Sequence, residues 1–267
     1  MLIDFSTMPV YLVEPSHAQG KLITGMLAQH GVKNVTYFES ATPMLAQCKV
    51  APPMLVISAL DLADMLGTEL VQVLRESADT ECVPFILISS ETRPQVLEPV
   101  RQSGACAILP KPFSDMQLDT ALRATLDYLD DDSPLELDDI DLNSLKVLLV
   151  DDSVSARNFI RRVLQNMGLT QFIEANNGSE ATVILSETPV DLVVTDYNMP
   201  ELDGKGLIEY IRQRSWQQTV PVLMVTSESN YSRLAAIEEA GVSGICDKPM
   251  ETAILKTILT RILRQGR

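Results

Sequence analysis

Displaced by 137 residues, this chain lies on itself without a gap: Glu14 falls on Asp151, Gly31 on Gly168, Gly67 on Gly204, Pro84 on Pro221, Gly104 on Gly241 and Lys111 on Lys248. Two copies are too few for a solenoid, whose units need neighbours to bury a core. Each copy is long enough to close around a core of its own. The economical reading is a pair of tandem domains of one fold, residues 1–130 and 145–267, joined by residues 131–144.

Within each copy, short β-branched apolar runs alternate with longer amphipathic stretches. Strands are expected near 9–14, 33–38, 53–58, 83–88 and 106–109, and again near 146–151, 170–175, 190–195, 220–225 and 244–247. Helices fall between them, with a last helix from about Ser114 to Leu129 in the first copy and from about Glu251 in the second. Short apolar runs bounded by turn residues read as strands buried on both faces. Their alternation with helices implies an α/β fold, a five-stranded parallel sheet with helices on both faces. The first helices support this: Leu22, Ile23, Met26 and Leu27 form one stripe, and Ala156, Phe159, Ile160, Val163, Leu164 and Met167 form its counterpart. Gly31 and Gly168 follow where a left-handed C-cap is expected. In the last helix Ile254, Leu255, Ile258, Leu259, Ile262 and Leu263 make a wide apolar face, most of it core.

Two strands of the second copy stop on acid. The run from Val190 ends at Asp196, followed by Tyr197-Asn198-Met199-Pro200, and Lys146 to Val150 runs into Asp151-Asp152-Ser153. Open α/β sheets keep their chemistry at the carboxyl ends of the strands. If these strands are neighbours, three carboxylates share an edge and require a cation, and oxygen-only ligands select a hard one such as Mg²⁺. Thr226 closes the run from Val220, and Lys248-Pro249 follows the strand around Ile245. Singly, each piece has a plain structural reading: Asp152 or Ser153 can cap the next helix, and Lys248-Pro249 can be a simple turn.

Together and in this order, with Asp203-Gly204, the pieces resemble the receiver domain of response regulators, and residues 146–264 resemble the chemotaxis type most. The resemblance implies two flavodoxin-like (βα)5 domains. It makes Asp196 a phosphoacceptor served by a histidine kinase, a phosphotransfer protein or a small acyl phosphate. Asp151, Asp152, Asp196 and the backbone carbonyl of Asn198 would hold Mg²⁺, Lys248 would supply a point charge and Thr226 a hydroxyl. Asn198 and Glu228 would flank the route of water to the acyl phosphate and give a short-lived phosphoprotein. One departure stands out: the family places Tyr or Phe three residues before the lysine, where this chain has Ile245. Tyr231 is either a substitute or an ordinary surface aromatic.

The first copy lacks the same chemistry. Ala59 stands at the acceptor position, the acidic pair is Glu14-Pro15, and Asp61 replaces Asn198, while Ser89, Glu91, Lys111, Pro112 and Phe113 remain. By resemblance this is a degenerate pseudo-receiver. Asp61 lies two residues past the strand end and is a poor alternative acceptor. His17 begins the first helix, and His30 sits at its end, favoured there by the helix dipole; neither suggests a phosphotransfer histidine.

Net charge is −15, from 36 acidic and 21 basic residues, which argues against a nucleic-acid or anionic-membrane surface. The first copy carries −7, residues 131–144 carry −6 and the second copy −2. Asp130 to Leu142 therefore reads as a solvated acidic linker. The competing reading packs Leu135, Leu137, Ile140 and Leu142 on a domain surface near Arg157 and Arg161. The four cysteines form no CxxC pair, consistent with reduced thiols in a cytoplasmic protein. No leader is recognisable at Met1, and no apolar run reaches the ~18 residues of a membrane span.

The expectation is a non-enzymatic signalling adaptor without an output domain after Arg267. Its second domain would switch contacts with an undetermined downstream protein, and its first would dock a partner, form a homodimer or restrain its neighbour. Alternatives are the regulatory part of a larger cyclic-dinucleotide synthase or phosphodiesterase, and a phosphate sink. A flavin-binding flavodoxin is set aside, because Asp-Asp follows Val150 in place of a phosphate-cradling loop.

Overall fold

The apolar runs become strands, and every one of them pairs in parallel with its neighbour. In the computed structural model, which describes residues 5–91, 93–103, 105–129, 134–135, 137, 139–228 and 230–265, the chain divides into two units, Met1–Asp130 and Asp131–Arg267. The first is built from β1 (Val10–Val13), α1 (His17–Gln29), β2 (Val35–Phe38), α2 (Ala41–Cys48), β3 (Leu55–Ala59), α3 (Gly67–Arg75), β4 (Phe85–Ser89), α4 (Pro94–Gln102), β5 (Ala107–Pro110) and α5 (Asp115–Leu129). The second repeats the plan with β6 (Lys146–Val150), α6 (Val154–Asn166), β7 (Gln171–Ala175), α7 (Gly178–Glu187), β8 (Leu192–Thr195), α8 (Gly204–Gln213), β9 (Val222–Thr226), α9 (Tyr231–Glu239), β10 (Gly244–Asp247) and α10 (Thr252–Gln265). The sheet orders are β2-β1-β3-β4-β5 and β7-β6-β8-β9-β10, the same doubly wound topology twice.

Alternation of side chains along a strand feeds two cores per sheet. In the first unit Val10, Leu12, Ile57 and Ile86 pack with Ile23 and Leu27 of α1 and Leu118 and Leu122 of α5. Tyr11, Val13, Val56 and Phe85 pack on the other face with Met44, Leu70, Leu74 and Val100 of α2, α3 and α4. In the second unit Leu148, Val150, Val193 and Met224 meet Leu185 of α7, Leu207 and Ile211 of α8 and Ile237 of α9. The expected stripe of α6 is buried throughout, whereas in α1 Leu22 is exposed, and in α10 so is Ile254. Gly31 and Gly168 take φ of 85° and 97°, the left-handed conformation that ends α1 and α6. Among the described residues no helix is long and apolar enough to cross a membrane.

The expected solvated linker needs correction where it is described. Leu135, Leu137 and Leu142 are buried. Leu135 N–H donates to the Met167 carbonyl at 3.0 Å, and the Leu142 side chain lies against Gly168. Leu142–Ser144 forms a single 3-10 turn capped by Asp141, and the Asn143 carbonyl accepts from the Gln171 side chain at 2.9 Å. Apolar residues spaced among the acids outweigh the charge and bind this strap to the second unit, at the end of α6. Arg157 and Arg161 are not its partners; both pair with Glu174. Asp130, Asp131, Asp132, Ser133, Glu136 and Asp138 of the expected linker, and Gly104 of the repeat, lie outside the described residues.

Candidate functional site

The strand ends bring the second unit's polar residues together. Val150 is in register with Thr195 and Thr226 with Asp247, so Asp151, Asp196, Thr226 and Lys248 all stand at one edge of the sheet. Asp196 N–H donates to the Val150 carbonyl at 2.8 Å, and Lys248 N–H to the Thr226 carbonyl at 2.8 Å. α8 begins directly over the end of β8: a Cβ on Gly204 would lie 2.2 Å from the Asp196 carbonyl oxygen, so only glycine permits this approach.

Lys248 is the hub. Its Nζ donates to Asp151 Oδ2 at 2.9 Å and lies 3.1 Å from Asp196 Oδ1, with Asp196 0% and Lys248 7% exposed. The contact with Asp196 is ionic and not a well-aligned hydrogen bond, which leaves Oδ1 a buried acceptor without one. Asp196 Oδ2 accepts from Asn198 N–H at 3.2 Å, and Asp151 Oδ1 from Ser153 N–H at 2.8 Å. Ser153 caps α6 through the N–H of Ala156.

Electrostatics follow from burial and crowding. Burial pushes the Asp196 carboxyl up to about 6; Asp151 adds to the rise and Lys248 opposes it. Asp152, exposed at the edge, is also raised, by partial burial and by Asp151. Burial works against the Lys248 ammonium, but Asp151 and Asp196 outweigh it and hold its pKa above the usual value. Carboxylates that disfavour one another, one with a buried oxygen met by the Lys248 ammonium without a well-aligned hydrogen bond, form a donor set that suits a hard divalent cation. They are not a finished cage: among the described residues no three His, Cys, Asp or Glu side chains are grouped as metal ligands.

The remaining expected residues fall close by. Thr226 is buried, and its Oγ1 accepts from Glu228 N–H at 3.1 Å. Glu228 is held by Arg233, Nη1 to Oε2 at 2.7 Å, and by Asn230 N–H at 2.8 Å. Asn198 is exposed at the rim. Ile245 is partly buried against the core, while Tyr231 is 89% exposed, a surface aromatic.

In the first unit the same edge is closed on itself. Lys111 Nζ donates to Glu14 Oε2 at 2.8 Å and to Gln19 Oε1 at 2.6 Å, and Ala59 offers only a methyl. Ser89 Oγ accepts from Glu91 N–H at 2.9 Å, and Glu91 pairs with Arg93, repeating the arrangement around Thr226. Pro15 and Asp61 are exposed. Phe113 and Pro112 line a hollow of about 360 Å³ with Leu22, Ile23 and Met26. His30 ties the end of α1 to α5, with Nε2 2.9 Å from Asp115 Oδ1, and His17 stacks edge-on against Tyr37.

The sequence gives no role to Gln19 or Glu174 and offers Arg157 and Arg161 only as neighbours of the linker, whereas Arg157, Arg161 and Glu174 together flank the acidic edge of the second unit. The signal was present in the internal repeat, since Gly20, Thr24 and Tyr37 stand at the positions of the last three.

Two parallel (βα)5 sheets, one ending in an acid–lysine–hydroxyl edge, define a receiver-type signalling protein. Residues 10–123 and 147–260 both match the family described as the response regulator receiver domain, and the chain belongs to that family. Chemotaxis protein CheY-3 of Vibrio cholerae is 34% identical over 122 residues, 46% of this chain and 94% of that protein. Chemotaxis protein CheY of Pseudomonas aeruginosa is 34% identical over 121 residues, 45% of this chain and 98% of its own length. Among solved structures, the signal receiver domain of a histidine kinase from Syntrophus aciditrophicus covers 46% of this chain and 92% of its own at 29% identity and TM-score 0.43. A probable two-component system response regulator/GGDEF domain protein covers 97% of this chain and 99% of its own at 23% identity and TM-score 0.43. Receiver domains in general bind Mg²⁺ for phosphorylation and interact with histidine kinases or phosphotransfer proteins.

Proposed function

We propose that this chain is a phosphorelay adaptor in which Mg²⁺-dependent phosphorylation of Asp196 switches the protein contacts of the second domain. The first domain, with Ala59 at the acceptor position, is phosphate-blind and serves docking, dimerisation or regulation. The working division is residues 1–130, the acidic segment 131–144 and residues 145–267, with the described part of that segment bound to the second domain. The four cysteines are unpaired, which fits a reducing cytoplasm.

The observation that carries this reading is the meeting of Asp151, Asp196 and Lys248 at one edge, with a buried Asp196 oxygen free of hydrogen bonds. In the reaction, a carboxylate oxygen of Asp196 bonds the donor's phosphorus while the bond from phosphorus to the donor nitrogen or oxygen breaks. The donor leaves with that electron pair. Charge spreads over the phosphoryl oxygens, so positioning and neutralisation dominate. Lys248 neutralises one oxygen. Asp151, Asp152, Asp196 and the Asn198 carbonyl would hold Mg²⁺, which supplies further neutralisation when bound. Thr226, whose oxygen accepts from Glu228 N–H, donates its hydroxyl hydrogen to a third oxygen, and that contact begins the switch. Asn198 and Glu228 govern the approach of water and keep the phosphoprotein short-lived.

The test is intact mass after incubation with a small acyl phosphate and Mg²⁺. The native chain should gain one phosphoryl group and Asp196→Ala none. No gain by the native chain would demote both domains to phosphate-blind binding modules.

A further inference from the structure

The acidic edge of the second domain is flanked by a charge arrangement that the first domain lacks. Arg157 of α6 is buried at 6% exposure; its Nε donates to Glu174 Oε2 on β7 at 3.0 Å, and its Nη1 to the carbonyl oxygen of Asp151. The other oxygen of Glu174 accepts from Arg161 Nη1 at 2.8 Å. Within this ion-paired group two guanidiniums against one carboxylate leave a formal surplus of one positive charge beside Asp151, with the Glu180 carboxylate of α7 also acting on Arg157 through space.

At the matching positions of the first domain stand Gly20, Tyr37 and Thr24, none of them charged. The replacement is concerted. A Cβ on Gly20 would lie 2.3 Å from Tyr37 Cε2, so the ring fills the space a side chain there would need. The Tyr37 hydroxyl donates to the Glu14 carbonyl at 2.6 Å, and that carbonyl is the counterpart of the one Arg157 holds. The strand-end tie therefore exists in both domains, and what differs is the charge. That charge follows the carboxylates: the second edge sets Asp151, Asp152 and Asp196 against Lys248, whereas the first sets Glu14 against Lys111 alone.

We propose that Arg157, with Arg161 and Glu174, is a positioning and counter-charge device for the phosphorylation site: it ties the Asp151 strand end and offsets the negative edge, loosening Mg²⁺ and admitting an anionic phosphodonor. The donor half of this inference rests on the phosphorylation reading; the metal half stands apart from it.

The first domain supplies the variant. Arg157→Gly, Arg161→Thr and Glu174→Tyr together transplant its uncharged pair and keep the tie to the strand end. In the full chain, calorimetric titration with Mg²⁺ should show binding about three- to tenfold tighter, the scale of one removed charge at short range near a protein surface, and less so at high salt. Phosphoryl uptake at saturating Mg²⁺ should fall by a similar factor. A structural role predicts the opposite sign for the metal, so unchanged or weaker Mg²⁺ binding by a folded transplant overturns the proposal. If the transplant fails to melt cooperatively by Trp216 fluorescence, Arg161→Gln, whose side chain is 38% exposed, carries the test with an expected tightening of about twofold. A native chain that binds Mg²⁺ but takes no phosphoryl group sinks the reading of Asp196 while the metal comparison still decides this one. A native chain that binds no Mg²⁺ sinks both.

Discussion

The two sheet edges hold the same lysine in different company. Lys248 lies between Asp151 and Asp196 and leaves one buried oxygen without a hydrogen bond, whereas Lys111 is taken up by Glu14 and Gln19. Glutamate is one methylene longer than aspartate, and Gln19, where the second domain has Ala156, supplies a second acceptor. The first edge is satisfied from within; the second is a group of carboxylates in which burial, and after it the charge of Asp151, raises the pKa of Asp152 and Asp196. The fold therefore keeps its strand ends, its glycine at the start of the third helix and its lysine whether or not the full set of carboxylates is present.

The largest expected effect separates the two lysines. Lys248→Ala should slow phosphoryl uptake by Asp196 about 10²- to 10³-fold, the usual loss when a group that stabilises transition-state charge is removed. Lys111→Ala should leave uptake unchanged and instead destabilise the first domain, since it strands the buried Glu14. Time courses of labelling beside melting curves check both, and equal losses of uptake from the two variants would break the comparison.

A smaller effect concerns stability. Burial pushes the Asp196 carboxyl up to about 6 in the folded chain, against about 3.9 when unfolded. A raised acid costs stability once ionised; the cost is complete above about pH 6 and absent below about pH 4. In metal-free buffer Asp196→Asn should therefore stabilise the second domain by about 1–3 kcal/mol at pH 7.5 and by almost nothing at pH 4. Trp216, the only tryptophan, reports that domain in urea titrations. A pH-independent difference would show that burial of the charge is not what sets the shift.

The smallest expected effect is none at all. Ala59→Asp should restore the acceptor but not the reaction, because Pro15 supplies no second carboxylate and Lys111 stays with Glu14 and Gln19. Intact mass after acyl phosphate should still show a single added phosphoryl group. A second would mean that acceptor loss alone silenced the first domain.

Much of this was legible beforehand. β6, read from Lys146 to Asp151, ends one residue earlier, and β9, read from Val220 to Val225, lies at Val222–Thr226. Such runs are readable because strands buried on both faces must be apolar at every position. The convergence of Asp151, Asp196, Thr226 and Lys248 was readable for a related reason, since each closes a strand and parallel strands end at one edge. The sequence leaves the linker open between a solvated and a packed reading and its charge favours the wrong one, because charge is visible at a glance while the surface that receives Leu135 and Leu142 is formed by distant residues at the end of α6. Leu22 joined the stripe of α1 by periodicity and yet stays in water, because the stripe is wider than the surface it covers.

The duplication, the doubly wound fold of each half and which half keeps an aspartate after its third strand were legible in the sequence, because these depend on local pattern and on the presence of single residues. Which charges face one another was set by packing. It paired Lys111 with Glu14 and Gln19, placed a Tyr37 ring over Gly20, and set Arg157 and Arg161 on Glu174 beside the acidic edge. Coulombic and hydrogen-bonding energies depend on distance through space, and residues far apart along the chain acquire those distances only when helix and strand pack.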